Sequence, residues 1–191
     1  MKKILLLLTM SMFVLGCGEK SEETTPENNA QQTQEKDGGA ISWQAPDGWI
    51  EETPKSGFRK AQYRLPKAEG DLEDASCVVF FFPGGAGGVQ ANIQRWYGQF
   101  VQPDGRPSSE VATVTTKTVN GLKQTRIDLP GTFLSRPTPG SPQVTEKSNF
   151  RMLAAIVETG GESWFVKLVG PQKTVAKWKE SFYDFMNSFE E

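Results

Sequence analysis

The sequence predicts an α+β domain: an antiparallel sheet of about six or seven strands with helices packed on it. Three observations lead there. Short apolar runs recur with period two and end at Pro/Gly turns. Two later segments are apolar at helical spacing on one face only. Asn120-Gly121, between two such runs, is the strongest short hairpin signal a sequence offers.

The strands are read in order. Residues 41–45 form the first, closed by the turn Pro46-Asp47-Gly48. In 59–65, Ala61, Tyr63 and Leu65 alternate onto one face and Pro66 ends the run. Residues 77–82 are apolar on both faces, which predicts a central strand covered on both sides. Two strands flank Asn120-Gly121, and residues 150–157 and 164–169 flank a second hairpin at Thr159-Gly160-Gly161-Glu162. Each helix has one apolar stripe: Val89, Ile93, Trp96 and Phe100, then Val175, Trp178, Phe182, Phe185 and Phe189 after Pro171. Residues 131–148, with Pro137, Pro139 and Pro142, read as a long proline-rich loop, either a functional arm or a mobile insertion, with its length raising the functional reading slightly.

The N-terminal segment speaks of destination. Lys2 and Lys3 precede an uncharged, mostly apolar run over residues 4–15, too short to span a bilayer comfortably. The run ends Val14-Leu15-Gly16-Cys17 and resembles the lipobox of bacterial lipoproteins. That resemblance implies removal of residues 1–16 and acylation of Cys17, giving a membrane partner through two or three fatty chains. It places the mature chain in the cell envelope, facing the periplasm. Gly18 stands where inner-membrane lipoproteins usually carry aspartate, which favours the outer membrane. Residues 18–39 contain no apolar side chain larger than alanine and are expected to be a disordered tether. As a flexible coil they would reach about 25 Å. Residues 40–191 then form one domain, long enough for a proper core.

Composition excludes several functions. Without Lys2 and Lys3 the chain has 19 basic against 23 acidic residues, net −4, so no nucleic-acid partner is expected. There is no histidine, which removes Ser-His-Asp and Cys-His catalysis and nearly all catalytic zinc sites. No catalytic residue, metal ligand or cofactor is assigned, and the chain is read as a non-enzyme. Cys77 lies within an apolar run, where a buried, inert thiol is expected and a reactive one is the alternative. Glu69, Asp71, Glu73 and Asp74 lack the spacing of a calcium loop and read as a solvated turn.

Two places suit contact with a partner or ligand. Gly84, Gly85, Gly87 and Gly88 lie in a loop joining a buried strand to a helix, with Asn92 and Arg95 nearby. Backbone N–H groups there would favour an anion, although a tight strand-to-helix connection is the favoured explanation of the glycines. The second is the turn bracketed by Trp43 and Trp49. An exposed aromatic there, beside Arg59 or Arg95, would suit a protein or glycan contact, while a Trp49 that covers the sheet edge explains the residue at least as well.

The order of elements also resembles the PsbP-like domains, a group that includes DcrB-like bacterial lipoproteins. The motifs are Trp43 to Trp49, with its Pro-x-Gly-Trp turn, and Gly170-Pro171 leading to a helix that ends Asn187-Ser188-Phe189. Ala91 to Trp96 after the glycine loop looks like an uncharacterised bacterial lipoprotein family. The resemblance spans residues 41–189 in outline. It implies a domain that docks onto a protein partner in the envelope, and it carries over no functional residue. The alternative is a small-ligand or anion carrier using the loop at 83–88.

Overall fold

In the computed structural model, residues 41–138 and 140–191 are described. The expected signal segment, Cys17 and the expected tether lie outside them. Among the described residues the strands are β1 (Ile50–Glu52), β2 (Arg59–Leu65), β3 (Ala75–Phe81), β4 (Phe100–Val101), β5 (Thr113–Val119), β6 (Leu122–Ser135), β7 (Thr145–Glu158) and β8 (Ser163–Pro171). They form one antiparallel sheet in the order β1-β2-β3-β8-β7-β6-β4, with β5 pairing the free part of β6. The helices are α1 (Val89–Tyr97), α2 (Ser108–Val111), α3 (Gln172–Lys177) and α4 (Lys179–Asn187). The architecture is α+β, and β3 and β8 are central.

Period two in the strands gives the sheet two apolar faces. One carries Tyr63, Leu65, Cys77, Val79, Phe81, Val166 and Leu168, and is closed by Val175, Phe182, Phe185, Met186 and Phe189 from α3, α4 and the residues beyond. The other carries Ile127, Leu129, Met152, Ala154, Ile156 and Phe165 and receives Ile93 and Trp96 of α1. Helices therefore lie on both faces. The two coverings are unequal: α1 is nine residues long and covers only part of its face.

Five sequence expectations are corrected. Phe100, read as the end of the first helix stripe, lies instead on β4, because α1 ends at Tyr97. Residues 41–45 make no strand; only Ser42 bridges Glu190, and the edge strand begins after the turn, at Ile50. Gly48 shapes that turn at φ +82°, with a ring carbon of Trp178 where a Cβ would sit at 2.9 Å. The proline-rich segment is not an irregular loop of eighteen residues. Strand β6 runs on to Ser135 and β7 begins at Thr145, paired as Ser135↔Thr145, so only residues 136–144 connect them. Pro130 and Gly131 stay in register with Arg151 and Phe150, and a register shift follows between Gly131 and Phe133. The last helix breaks at Trp178 (φ −98°, ψ 9°), whose indole N–H reaches back to the Pro66 carbonyl at 2.8 Å.

Finally, Trp49 is not exposed. It is 9% accessible, packs against Tyr63 and Phe185, and donates its indole N–H to Ser181 Oγ at 3.2 Å. Its ring is as large as those of the stripe on α4, and closing the core claimed it.

The acidic turn also has structural work. Asp71 accepts the Thr174 backbone N–H at 2.8 Å and its hydroxyl at 2.6 Å, capping α3 from outside the helix. Asp74 pairs with Arg64 and Glu73 with Lys147. The Asn120 side-chain amide donates to the carbonyls of Asn187 and Phe189, each at 3.0 Å, so the hairpin turn also closes the end of α4.

Candidate binding groove

Where α1 stops short, the sheet face stays open as a groove of about 260 Å³, floored by Val78, Phe80, Lys167 and Val169. Arg59 and Ser76 flank it on one side, Phe133 and Phe150 on the other. Past Phe80 and Lys167 the depression continues as a pocket of about 130 Å³ under α1, walled by Phe82, Trp96 and Phe165 and edged by Asn92 and Arg95.

Sequence alternation puts these side chains together. Phe80 of β3 is paired in register with Phe165 of β8, and Val78 with Lys167, so all four point to the same face. Phe82 continues the line from β3. Its ring stacks with Phe80 at 6.0 Å and with Phe58 at 5.2 Å, and Phe58 is 54% exposed. The Arg59 guanidinium lies over the Phe80 ring at 5.6 Å. The exposed aromatic strip is therefore at Phe58, Phe82 and Phe80, not at Trp49. Phe133, from the segment read as a proline-rich loop, joins the opposite wall.

The charges in the groove are unbalanced. Among the described residues, Arg64, Arg106, Lys123, Lys147, Arg151 and Lys179 each pair with a carboxylate. Arg59, Arg95 and Lys167 do not. Arg59 donates to Gln62 Oε1 at 2.6 Å. Lys167 is half-buried, and its ammonium donates to Gln99 Oε1 at 2.9 Å. Burial, and then repulsion from Arg59, pull its pKa down from 10.5 to about 8. It remains a cation at neutral pH, held at a cost.

The glycine loop borders this site without forming an obvious cradle of its own. Gly84, Gly85 and Gly87 take φ of +80°, +85° and +85°, values that need glycine. Asn92, buried, donates its amide to the carbonyls of Ala86, Gly87 and Gly88 at 3.0–3.2 Å. Arg95 donates to Asn92 Oδ1 at 2.6 Å. Asn92 thus braces the loop, and Gly88 is the N-cap residue of α1. Cys77 is buried on the opposite face, and burial raises its thiol pKa far above the usual range.

Sequence reasoning named Arg59, Asn92 and Arg95, which the fold brings to one groove, and missed Lys167, Phe80, Phe82 and Phe165. One cue was available: Lys167 interrupts an otherwise apolar central strand.

No family model matches the chain, and no curated protein matches it. Among solved structures it is similar to the solution structure of cyanobacterial PsbP (CyanoP) from Synechocystis sp. PCC 6803. The identity is 14%, the TM-score 0.46, and the match covers 78% of this chain and 85% of that one. A likeness at that distance carries no inference about function. Among the described residues no helix is long and apolar enough to cross a membrane, and no three acidic or thiol side chains cluster as metal ligands would.

Proposed function

We propose that this chain is a lipid-anchored protein of the cell envelope whose α+β domain, PsbP-like in kind, is a non-catalytic docking module for a protein partner. The anchor is Cys17, acylated after removal of residues 1–16, and residues 18–39 hold the domain off the periplasmic face of the membrane, in this reading the outer one. The observation that supports docking is the groove: aromatic rings in a row, one of them solvent-exposed, among three cationic side chains without carboxylate partners. Interfaces are enriched in such aromatic and arginine anchors. Leaving Lys167 uncompensated costs stability, and a partner that supplies the missing charge would recover it.

The test has two parts. Mass spectrometry of the native protein should find an N-terminal Cys17 carrying fatty chains; an intact leader or an unmodified N-terminus would remove the anchor. A photoreactive residue at Phe58 should give a discrete protein adduct in living cells, while one at Val114, exposed on β5, should not. Equal labelling from both positions, or none from Phe58, would remove the groove as the docking site.

A further inference from the structure

We infer that the groove recognises an acidic peptide segment of the partner, with a carboxylate side chain set between aromatic or aliphatic neighbours. The inference rests on the docking reading above and names the chemistry of what docks.

Charge complementarity selects the acid. The groups facing Lys167 across the groove are Arg59 from β2 and, on the α1 side, Arg95; neither has a carboxylate partner among the described residues. The two carboxylates at the groove's far end are already engaged, Asp74 by Arg64 and Glu73 by Lys147. The Lys167 ammonium has three N–H donors, and Gln99 accepts one. An incoming carboxylate would take another and offset the repulsion between Lys167 and Arg59. A neutral or cationic segment would bury those charges without compensation.

Shape selects the peptide. The two depressions, about 260 and 130 Å³, meet at Phe80 and Lys167 and lie open along the sheet. Sites that hold small molecules are usually deeper and bury most of the ligand. An open trough with the cation at its waist suits side chains presented by an extended chain. The carboxylate would sit at Lys167 and an apolar neighbour in the Phe82–Trp96–Phe165 pocket. Phe58 and Phe133 would flank the entry. The exposed Phe58 ring, stacked on Phe82, extends the apolar track beyond the pocket.

The experiment uses the full mature chain carrying Cys17→Ser, which keeps it in solution, and calorimetric titration at low ionic strength. The probes are acetyl-Phe-Glu-Phe-Glu-Phe-amide and its Gln-for-Glu counterpart. The acidic peptide should bind at least about tenfold more tightly than the neutral one, as charge-assisted hydrogen bonds exceed neutral ones by about that much. It should weaken as salt is raised and lose that advantage in Lys167→Met, with circular dichroism confirming the variant's fold. Equal affinity for the two peptides, or an advantage that survives Lys167→Met, would overturn the inference. So would 3-phenylpropionate binding as tightly as the peptide, since a free small acid would then be the occupant. A Phe58 crosslink in cells alongside any of these failures would leave the docking reading standing and refute only its acidic chemistry.

Discussion

Replacing Lys167 with methionine should make the protein more stable at neutral pH. Methionine keeps the length and apolar stem of lysine and removes the charge. The Lys167 pKa falls from 10.5 to about 8 on folding, and each pKa unit corresponds to about 1.4 kcal/mol. Holding the ammonium charged in the folded state therefore costs roughly 3 kcal/mol. Lys167→Met also strands Gln99 Oε1, which now accepts from Lys167 at 2.9 Å, at a cost of about 1 kcal/mol. A net gain of about 2 kcal/mol remains, or roughly 4–8 °C in Tm for a domain of this size. The sign with pH follows from the depressed pKa. Between about pH 8 and 10.5 the unfolded chain binds the proton more than the folded one, so the native protein gains stability as pH rises through that window. Urea unfolding should then show the variant ahead at pH 7 and its lead gone by about pH 10.5. No stabilisation at pH 7, or a lead independent of pH, would refute the claim that Lys167 is a strained cation. A residue that weakens the fold yet lines an open groove fits the usual trade between stability and function.

Other consequences can be checked in the same assays. Gly48→Ala should destabilise by about 1–3 kcal/mol, because alanine tolerates φ +82° poorly and its Cβ would meet Trp178; a neutral effect in urea unfolding would mean the turn shifts freely. Asp128, on β6, is paired with Arg151 of β7 and Lys179 of α4; burial opposes its ionised form, yet these two partners hold its carboxyl below the usual range. Its contribution is therefore present above the ordinary carboxylate pKa and lost as pH falls below it. Asp128→Asn should cost about 2 kcal/mol at pH 7 and progressively less in acid, and a pH-independent cost would contradict the pairing. Cys77 should resist a thiol reagent at pH 8 in the native state and react at once in denaturant; rapid native labelling would show that the core opens.

What was legible in the sequence was what depends on local pattern. Of the stripe Val175, Trp178, Phe182, Phe185 and Phe189, four residues are buried against the sheet, while Trp178 is only partly buried at the break between α3 and α4. Asn120-Gly121 turns between β5 and β6. The alternation in β2 holds, and β3 is central as expected, but only one of its faces is fully covered: Val78 and Phe80 floor the open groove on the other. What was not legible depends on tertiary competition. Nothing local says that Trp49 will fill the core beneath Ser181 while Phe58 is left in solvent; both are aromatic residues near turns. The prolines at 137, 139 and 142 suggested a loop, but β6 keeps its register through Pro130 and, past a shift between Gly131 and Phe133, continues to Ser135. The groove is assembled from β2, β3, β8 and α1, elements up to a hundred residues apart, and only strand register brings Phe80 beside Phe165 and Val78 beside Lys167. Arg59, Asn92 and Arg95 were singled out for their types, but their common surface emerges only once the sheet order is known.

The most direct measurement is in-cell photocrosslinking from Phe58 in a chain that also carries Arg59→Gln and Lys167→Met. If the groove keeps its unpaired cations for a partner, this protein should accumulate to at least the normal level yet lose the adduct seen in the otherwise native chain. An adduct of unchanged mass and yield would show that those charges take no part in docking.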